Sequence, residues 1–252
     1  SIFHVIIFDR IGGYYMKKII NILLFVALFF IETFLNSIIF YTLYRLGINI
    51  DSIYLRLIIT VISWIVFMIF IFLIYRKSLI EEFKLYKNNF KKFFIFGLKV
   101  WFIGLTMMVI SNILISFVYS NNSVNEEVVQ SYLVKYPIYT TISTLIYAPF
   151  VEEIIFRKSL RGIFDNKALY ILMSGLIFGL CHVVAGIDNT MELLYLIPYG
   201  IMGASFAYIY SKTDSIFVSM SMHFIHNLIT IIISTLPYII GGLVWKVQEL
   251  KN

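Results

Sequence analysis

The sequence contains little cysteine, proline or charge, and these scarcities exclude whole classes of protein. One cysteine in 252 residues cannot form an internal disulfide. Only 13% of the residues are charged and 60% are hydrophobic, whereas about a quarter are charged in soluble domains. Together with a mean hydropathy of +0.90, these values exclude a soluble globular protein and indicate an integral membrane protein.

The basic residues are distributed between apolar stretches and do not form one patch. The net charge of +6 therefore reflects membrane topology and does not indicate a nucleic-acid partner. Lysine and arginine alternate along the chain with lysine-poor connections, which predicts a multi-pass protein with the basic loops and the N-terminus in the cytoplasm. The richness in Ile, Phe, Lys and Asn suits the plasma membrane of a Gram-positive bacterium with a low-GC genome.

Apolar stretches long enough to cross a bilayer of about 30 Å recur through the chain. They predict an all-α polytopic transmembrane bundle of about seven to eight spans. The predicted spans are 19–44, 53–75, 93–119, 137–163, 168–186, 192–210 and 215–236, with 237–245 as a partial eighth. Residues 76–92 are predicted to be a basic helix in the membrane interface, and 121–135 a polar non-cytoplasmic loop. Residues 1–15 are interpreted as a doubtful extension before a single domain of residues 16–252.

Small residues four apart mark the fifth and sixth predicted spans as central ones. Gly175 and Gly179 share one helix face, and so do Gly200 and Ala204, and Gly203 and Ala207. Such pairs let two helix backbones approach closely in lipid.

The fourth predicted span carries charges that lipid does not tolerate. Glu152, Glu153 and Arg157 each cost roughly 2.5–3.5 kcal/mol at bilayer depth unless they face protein or water. Glu153 and Arg157 lie four apart on a helix and are expected to pair. Glu152 points about 100° away and has no cation nearby in the sequence. Pro149 is expected to kink the helix close to both carboxylates.

Two further polar groups lie inside later spans. His182 follows Phe178 by four residues, and Asn227 follows His223 by four. At 1.5 Å per residue, Glu152, His182 and His223 could meet near the middle of the membrane. A carboxylate and an imidazole can hold and deprotonate a water, and a second imidazole with an amide can stabilise an oxyanion. Glu152, His182 and His223 could instead bind Zn²⁺ with an open position for water, and the sequence leaves metal-dependent and metal-free chemistry equally open.

Each polar residue also has a structural interpretation. The three groups could form a buried ion pair and hydrogen bonds between helices. His226 is the next candidate after His223, and Ser219 shares a face with His223 and could form a Ser–His dyad. Cys181 adjoins His182, but adjacent positions on a helix point apart. Glu32 and Asn36 are expected to satisfy each other, and Asp188 and Glu192 to be solvated in a loop.

The three motifs are Glu152-Glu153-x-x-x-Arg157, Phe178-x-x-x-His182 and His223-x-x-x-Asn227. In their order and spacing, they resemble those of the CAAX-protease and bacteriocin-processing (CPBP, or Abi) family of intramembrane proteases. The matching residues lie within 147–227. The resemblance implies a helical bundle of about eight spans and peptide-bond hydrolysis in or beside the membrane. It also implies that Glu152 and His182 activate water, that His223 and Asn227 stabilise the oxyanion, and that Glu153 and Arg157 hold the site together. Members have been described both as metal-dependent and as glutamate proteases.

The sequence therefore predicts an intramembrane endopeptidase that acts on a peptide or membrane-anchored protein near the cytoplasmic half of the bilayer. Its partners would be that substrate and the lipid bilayer. An alternative is a non-catalytic membrane protein, either for bacteriocin immunity or for regulating a sensor kinase. A small transporter is a third reading, although transporters often show inverted repeats or broken helices in matching halves, and neither is evident here.

Overall fold

The described part of the chain is helical, as the composition predicted. A computed structural model describes residues 2–184 and 189–249, and of 2–12 and 238–249 it describes the backbone alone. These ranges contain helices and connections and no strand, which confirms the all-α fold. The helices are α1 (Ile2–Arg45), α2 (Ile53–Asn88), α3 (Phe90–Ser116), α4 (Val124–Lys135), α5 (Pro137–Ile142), α6 (Ala148–Glu153), α7 (Lys167–Val184), α8 (Leu196–Thr213) and α9 (Ile216–Glu249).

Six helical segments are long and apolar enough to cross a membrane, so the polytopic bundle is confirmed. They are Gly13–Arg45, Ile53–Asn88, Phe90–Ser116, Lys167–Val184, Thr190–Thr213 and Ile216–Pro237. Thr190–Thr213 consists of a 3-10 helix, Thr190–Tyr195, continued by α8. Their outward faces are covered with exposed large apolar side chains, as expected for surfaces in contact with lipid.

Several predicted boundaries were wrong. The apolar span 53–75 and the basic stretch 76–92 form one helix as far as Asn88, because no proline or glycine interrupts them. Residues 124–135 are helical, since the Ser123 hydroxyl accepts a hydrogen bond from the Glu126 amide and caps α4. Pro237 lies inside α9, so 237–245 is not a separate segment. Residues 2–15 continue α1.

The fourth predicted span is not a continuous α-helix. Two π-helical turns, Ser143–Tyr147 and Ile154–Ser159, flank α6, which carries Glu152 and Glu153. Pro149 stands in the first turn of α6, where its missing amide breaks the α-helical hydrogen-bond pattern. Such π turns are frequent at functional sites because the extra residue reorients side chains.

Close contact between α7 and α8 places them at the centre of the bundle. A Cβ atom added to Gly175 would lie 2.7 Å from the Gly200 carbonyl oxygen and 2.9 Å from the Ala204 Cβ. The Gly203 backbone approaches Phe178 to a similar degree. Only glycine permits this approach, as the sequence predicted, and it positions His182 on α7 beside residues of α8.

Candidate active site

Glu153 is the centre of a fully buried polar network between α6 and α9. Its Oε1 atom lies 3.3 Å from Arg157 NH1, and both side chains are 0% exposed. The same oxygen accepts a hydrogen bond of 2.9 Å from His223 Nδ1. Its other oxygen accepts one of 2.5 Å from Ser219 Oγ. Glu153 is thus satisfied by three partners, and it is not among the residues that line the cavity described below.

The Arg157 guanidinium is enclosed by aromatic rings. It lies 4.2 Å from the centroid of Phe178 and 5.4 Å from that of Phe206. Cation–π contacts of this kind compensate part of the cost of removing the guanidinium from water. Phe178, from the motif that contains His182, therefore packs directly on Arg157, from the motif that contains Glu152.

Glu152 faces both imidazoles without a direct hydrogen bond to either. Its Oε2 atom lies 3.9 Å from His223 Nε2 and 4.0 Å from His182 Nε2. That oxygen is buried and has no hydrogen-bond partner within the protein. The structure therefore brings together the three side chains that the sequence placed on different spans.

The partners of the two histidines define which ring nitrogen faces Glu152. His182 Nδ1 lies 2.8 Å from the Phe178 carbonyl oxygen, so Nδ1 carries the proton and donates it. His223 Nδ1 donates in the same way to Glu153. Nε2 of each ring is left for the site. Aromatic stacking fixes both rings, with His182 on Tyr199 at 4.9 Å and His223 on Phe206 at 4.9 Å.

The spacing between the three groups fits a water molecule better than a zinc ion. A water about 2.8 Å from each of two acceptors is accommodated when the acceptors lie roughly 4 Å apart. Tetrahedral zinc with ligands at 2.0–2.1 Å requires donor atoms roughly 3.3–3.4 Å apart, which is shorter than the distances here. Among the described residues, no group of three His, Cys, Asp or Glu side chains is placed to hold a metal. The residues as placed do not fit zinc.

Asn227 lies one turn after His223 and joins α9 to the first π turn. Its Nδ2 donates a hydrogen bond of 2.6 Å to the Thr144 carbonyl oxygen. One N–H of the amide is thereby used. The second N–H remains available, and Asn227 lines the same cavity as His223.

A cavity of about 430 Å³ connects these groups. Its wall includes Glu152, His182, His223, Asn227 and also His226, the candidate predicted next after His223. The volume lies within the range of pockets that bind drug-sized ligands. Sequence reasoning missed Tyr199, which also lines the cavity, because a tyrosine among apolar residues gives no local signal of its contact with His182.

The remaining polar candidates of the sequence have structural roles. The single hydroxyl hydrogen of Ser219 is directed to Glu153 at 2.5 Å, with the Phe206 carbonyl oxygen at 3.1 Å, so Ser219 does not form a dyad with His223. Cys181 packs against the hydrophobic core. Asn36 accepts a hydrogen bond from Ser63, 2.7 Å long, and within the described chain it makes none with Glu32, so that predicted pair was wrong.

Glu192 is buried, and its predicted solvation was wrong. It is 3% exposed and accepts hydrogen bonds from the Tyr119 hydroxyl at 2.9 Å and the Val124 amide at 3.3 Å. The hydrogen bond to this carboxylate raises the pKa of the Tyr119 phenol. Glu192 thereby ties the start of α4 to the 3-10 helix before α8. Asp188 lies outside the described residues.

Comparison with known proteins finds similarity over the part of the chain that contains this site. Residues 134–229 match the family model described as "Type II CAAX prenyl endopeptidase Rce1-like". The chain is 30% identical over 118 residues to a Bacillus subtilis (strain 168) protein named "Putative membrane peptidase YdiL", covering 46% of this chain and 45% of that protein. It is 30% identical over 165 residues to an uncharacterized protein of Mycoplasma capricolum, covering 60% of this chain and 46% of the relative.

The matched region thus spans less than half the length of each of these two relatives. No solved structure matches the chain. The family match contains all three motifs, from Glu152 to Asn227. The resemblance predicted from those motifs is confirmed, since residues 134–229 match a model of the CAAX-protease family.

Proposed function

We propose that this protein is an intramembrane endopeptidase that hydrolyses a peptide bond of a peptide or a membrane-anchored protein. One observation carries the proposal. Glu152, His182 and His223 come from three separate helices and line one cavity, with the Glu152 Oε2 atom 3.9–4.0 Å from Nε2 of each imidazole. Ionisable groups at membrane depth are costly, and structural roles do not explain a buried carboxylate oxygen that has no partner.

Glu152 acts as the general base in this proposal. Its Oε2 atom and His182 Nε2 hold the water between them. Glu152 takes a proton from the water as the water oxygen attacks the carbonyl carbon. It then gives that proton to the leaving amine when the carbon–nitrogen bond breaks. General acid–base catalysis of this kind contributes typically 10²–10⁴-fold to a rate.

His223 and Asn227 stabilise the oxyanion. His223 Nδ1 bonds to the buried Glu153 carboxylate, which turns Nε2 towards the site, where an Nε2–H can donate to the developing negative charge. Asn227 contributes its second N–H. Arg157 and Ser219 hold Glu153 in place and are therefore positioning residues. Because the donor spacing does not fit zinc, no step requires a metal.

The decisive experiment replaces Glu152 in the purified full-length protein. Wild type, Glu152→Gln and Glu81→Gln are reconstituted in lipid nanodiscs with a library of transmembrane-segment peptides, and the products are identified by mass spectrometry. Glu81 is exposed and does not line the cavity, so it controls for the loss of a carboxylate.

We expect Glu152→Gln to lose at least about 100-fold in cleavage rate, as removal of a general base predicts. Glu81→Gln should cleave like wild type. Unchanged cleavage by Glu152→Gln would refute the assignment. A Glu152→Gln protein that still complemented a gene deletion would favour the non-catalytic alternative.

A further inference from the structure

The two ends of the bundle differ in charge. At one end three ion pairs join the connections, namely Lys18–Asp165, Lys158–Glu82 and Arg161–Asp214, and the lysine-rich turn between α2 and α3 lies there as well. At the other end α4 connects α3 to α5. The distribution of lysine and arginine assigns the first end to the cytoplasm and the α4 end to the opposite side.

The cavity extends from the site towards the α4 end. Along α9 its wall continues from His223 through Asn227 and Thr230 to Ser234, a distance of about 16 Å at 1.5 Å per residue. Residues of α4 form its far wall, and none of the six residues in the three ion pairs lines it. The sequence predicted cleavage near the cytoplasmic half of the bilayer, whereas the cavity extends from the site towards the opposite end.

The wall of this cavity has the chemistry that a peptide main chain requires. Every backbone N–H and C=O that enters a membrane must find a hydrogen-bond partner, and lipid offers none. Amide and hydroxyl side chains line the route, among them Asn112, Asn125, Gln130 and Ser234. The Asn112 Oδ1 atom is buried and has no partner within the protein. A length of about 16 Å corresponds to roughly five residues of extended chain.

Hydrogen bonds hold α4 over this route. The Tyr199 hydroxyl bonds to Ser123 Oγ at 2.8 Å and receives a hydrogen bond from Asn125 Nδ2 at 3.2 Å. The Tyr199 ring stacks on His182. The start of α4 is therefore linked through one side chain to the proposed water site.

We propose that an extended peptide segment enters the cavity from the extracytoplasmic side, at α4, and lies along the polar face of α9 to reach Glu152. The cleavage of that segment rests on the proposed function, whereas the side of entry does not. The substrate class is thus a peptide, or a membrane protein segment, exposed outside the cytoplasm.

Single-cysteine labelling tests the side of entry. Because Cys181 is the one cysteine of the sequence, Cys181→Ala provides a background for Val129→Cys, Val128→Cys and Lys91→Cys. Val129 lines the cavity, its neighbour Val128 is 51% exposed and does not line it, and Lys91 is exposed at the basic end. Intact cells receive a membrane-impermeant polyethylene glycol maleimide, before or after permeabilisation.

We expect both α4 variants to react in intact cells, and Lys91→Cys to react only after permeabilisation. The reverse pattern would overturn extracytoplasmic entry. The labelling does not depend on activity, so it decides the side of entry even if no peptide is cleaved and the proposed function fails.

Turnover after labelling tests the route. Labelled Val129→Cys should cleave at least 10-fold more slowly than the same variant without label, because the polymer obstructs the cavity. Labelled and unlabelled Val128→Cys should cleave equally. Equal cleavage by labelled and unlabelled Val129→Cys would overturn the route beneath α4.

Discussion

Replacing Arg157 by methionine should lower the free energy of unfolding by more than the removal of any exposed charge does. Methionine has a similar length and keeps apolar contact with Phe178, whose ring centroid lies 4.2 Å from the guanidinium. The substitution removes the cation that lies 3.3 Å from the Glu153 carboxylate. The Glu153 side chain is 0% exposed. The Glu153 carboxylate would then be buried without its guanidinium partner.

The burial of both charges sets the expected loss of stability. Removing one partner of a buried ion pair costs about 3–5 kcal/mol, since the other charge stays buried. At about 1.4 kcal/mol per tenfold change, this corresponds to roughly 150- to 5,000-fold in the unfolding equilibrium. Arg161→Met is the matched control, because Arg161 pairs at 3.4 Å with an Asp214 side chain that is 74% exposed. An exposed pair contributes about 0–1 kcal/mol.

Unfolding of the purified protein in mixed detergent and SDS micelles measures these differences. Tryptophan fluorescence reports on the core, as Trp64 stacks on Tyr147 at 4.5 Å. The double variant Arg157→Met with Glu153→Gln should recover most of the lost stability, because it leaves no unpaired charge. A double variant as unstable as Arg157→Met alone would refute the reasoning, since the loss would not come from the buried carboxylate.

Three other predictions address packing, the stacked tyrosine and the metal. Gly175→Ala should lower stability by about 1–3 kcal/mol, since its Cβ would lie 2.7 Å from the Gly200 carbonyl oxygen. Gly200→Ala should be tolerated, as its nearest contact is 3.6 Å, and equal thermal unfolding of the two variants would contradict this packing. Tyr199→Phe keeps the stack on His182 and loses the hydroxyl bonds to α4, so it should cost about 1 kcal/mol of stability and little of kcat. Tyr199→Ala should lower kcat further, and equal kcat values for the two variants would show that the stack does not position His182. Cleavage should persist with a zinc chelator present, because the donor atoms are 3.9–4.0 Å apart; a loss of activity that zinc restores would show that the side chains rearrange around a metal.

Local patterns in the sequence were sufficient for six of the predicted membrane spans, though not for all of their boundaries, and for the pairing of Glu153 with Arg157. Apolar length defines a span, and four-residue spacing places two side chains on one face of a helix. The same reasoning failed for α4, whose composition is that of a solvated loop. Its helix depends on the Ser123 cap and on bonds to Glu192 and Tyr199, which are about 70 residues away in the sequence.

The sequence by itself determined a polytopic helical protein, its resemblance to the CAAX-protease family and the three polar motifs, because hydropathy and helical spacing are properties of neighbouring residues. Only the tertiary structure decided how those motifs meet. The close approach of α7 and α8, the two π turns around α6 and the contacts of α9 bring Glu152 within 4.0 Å of both imidazoles. They also give Ser219 its bond to Glu153 and open the cavity towards α4. Such contacts depend on the relative positions of helices distant in the chain, which no local pattern specifies.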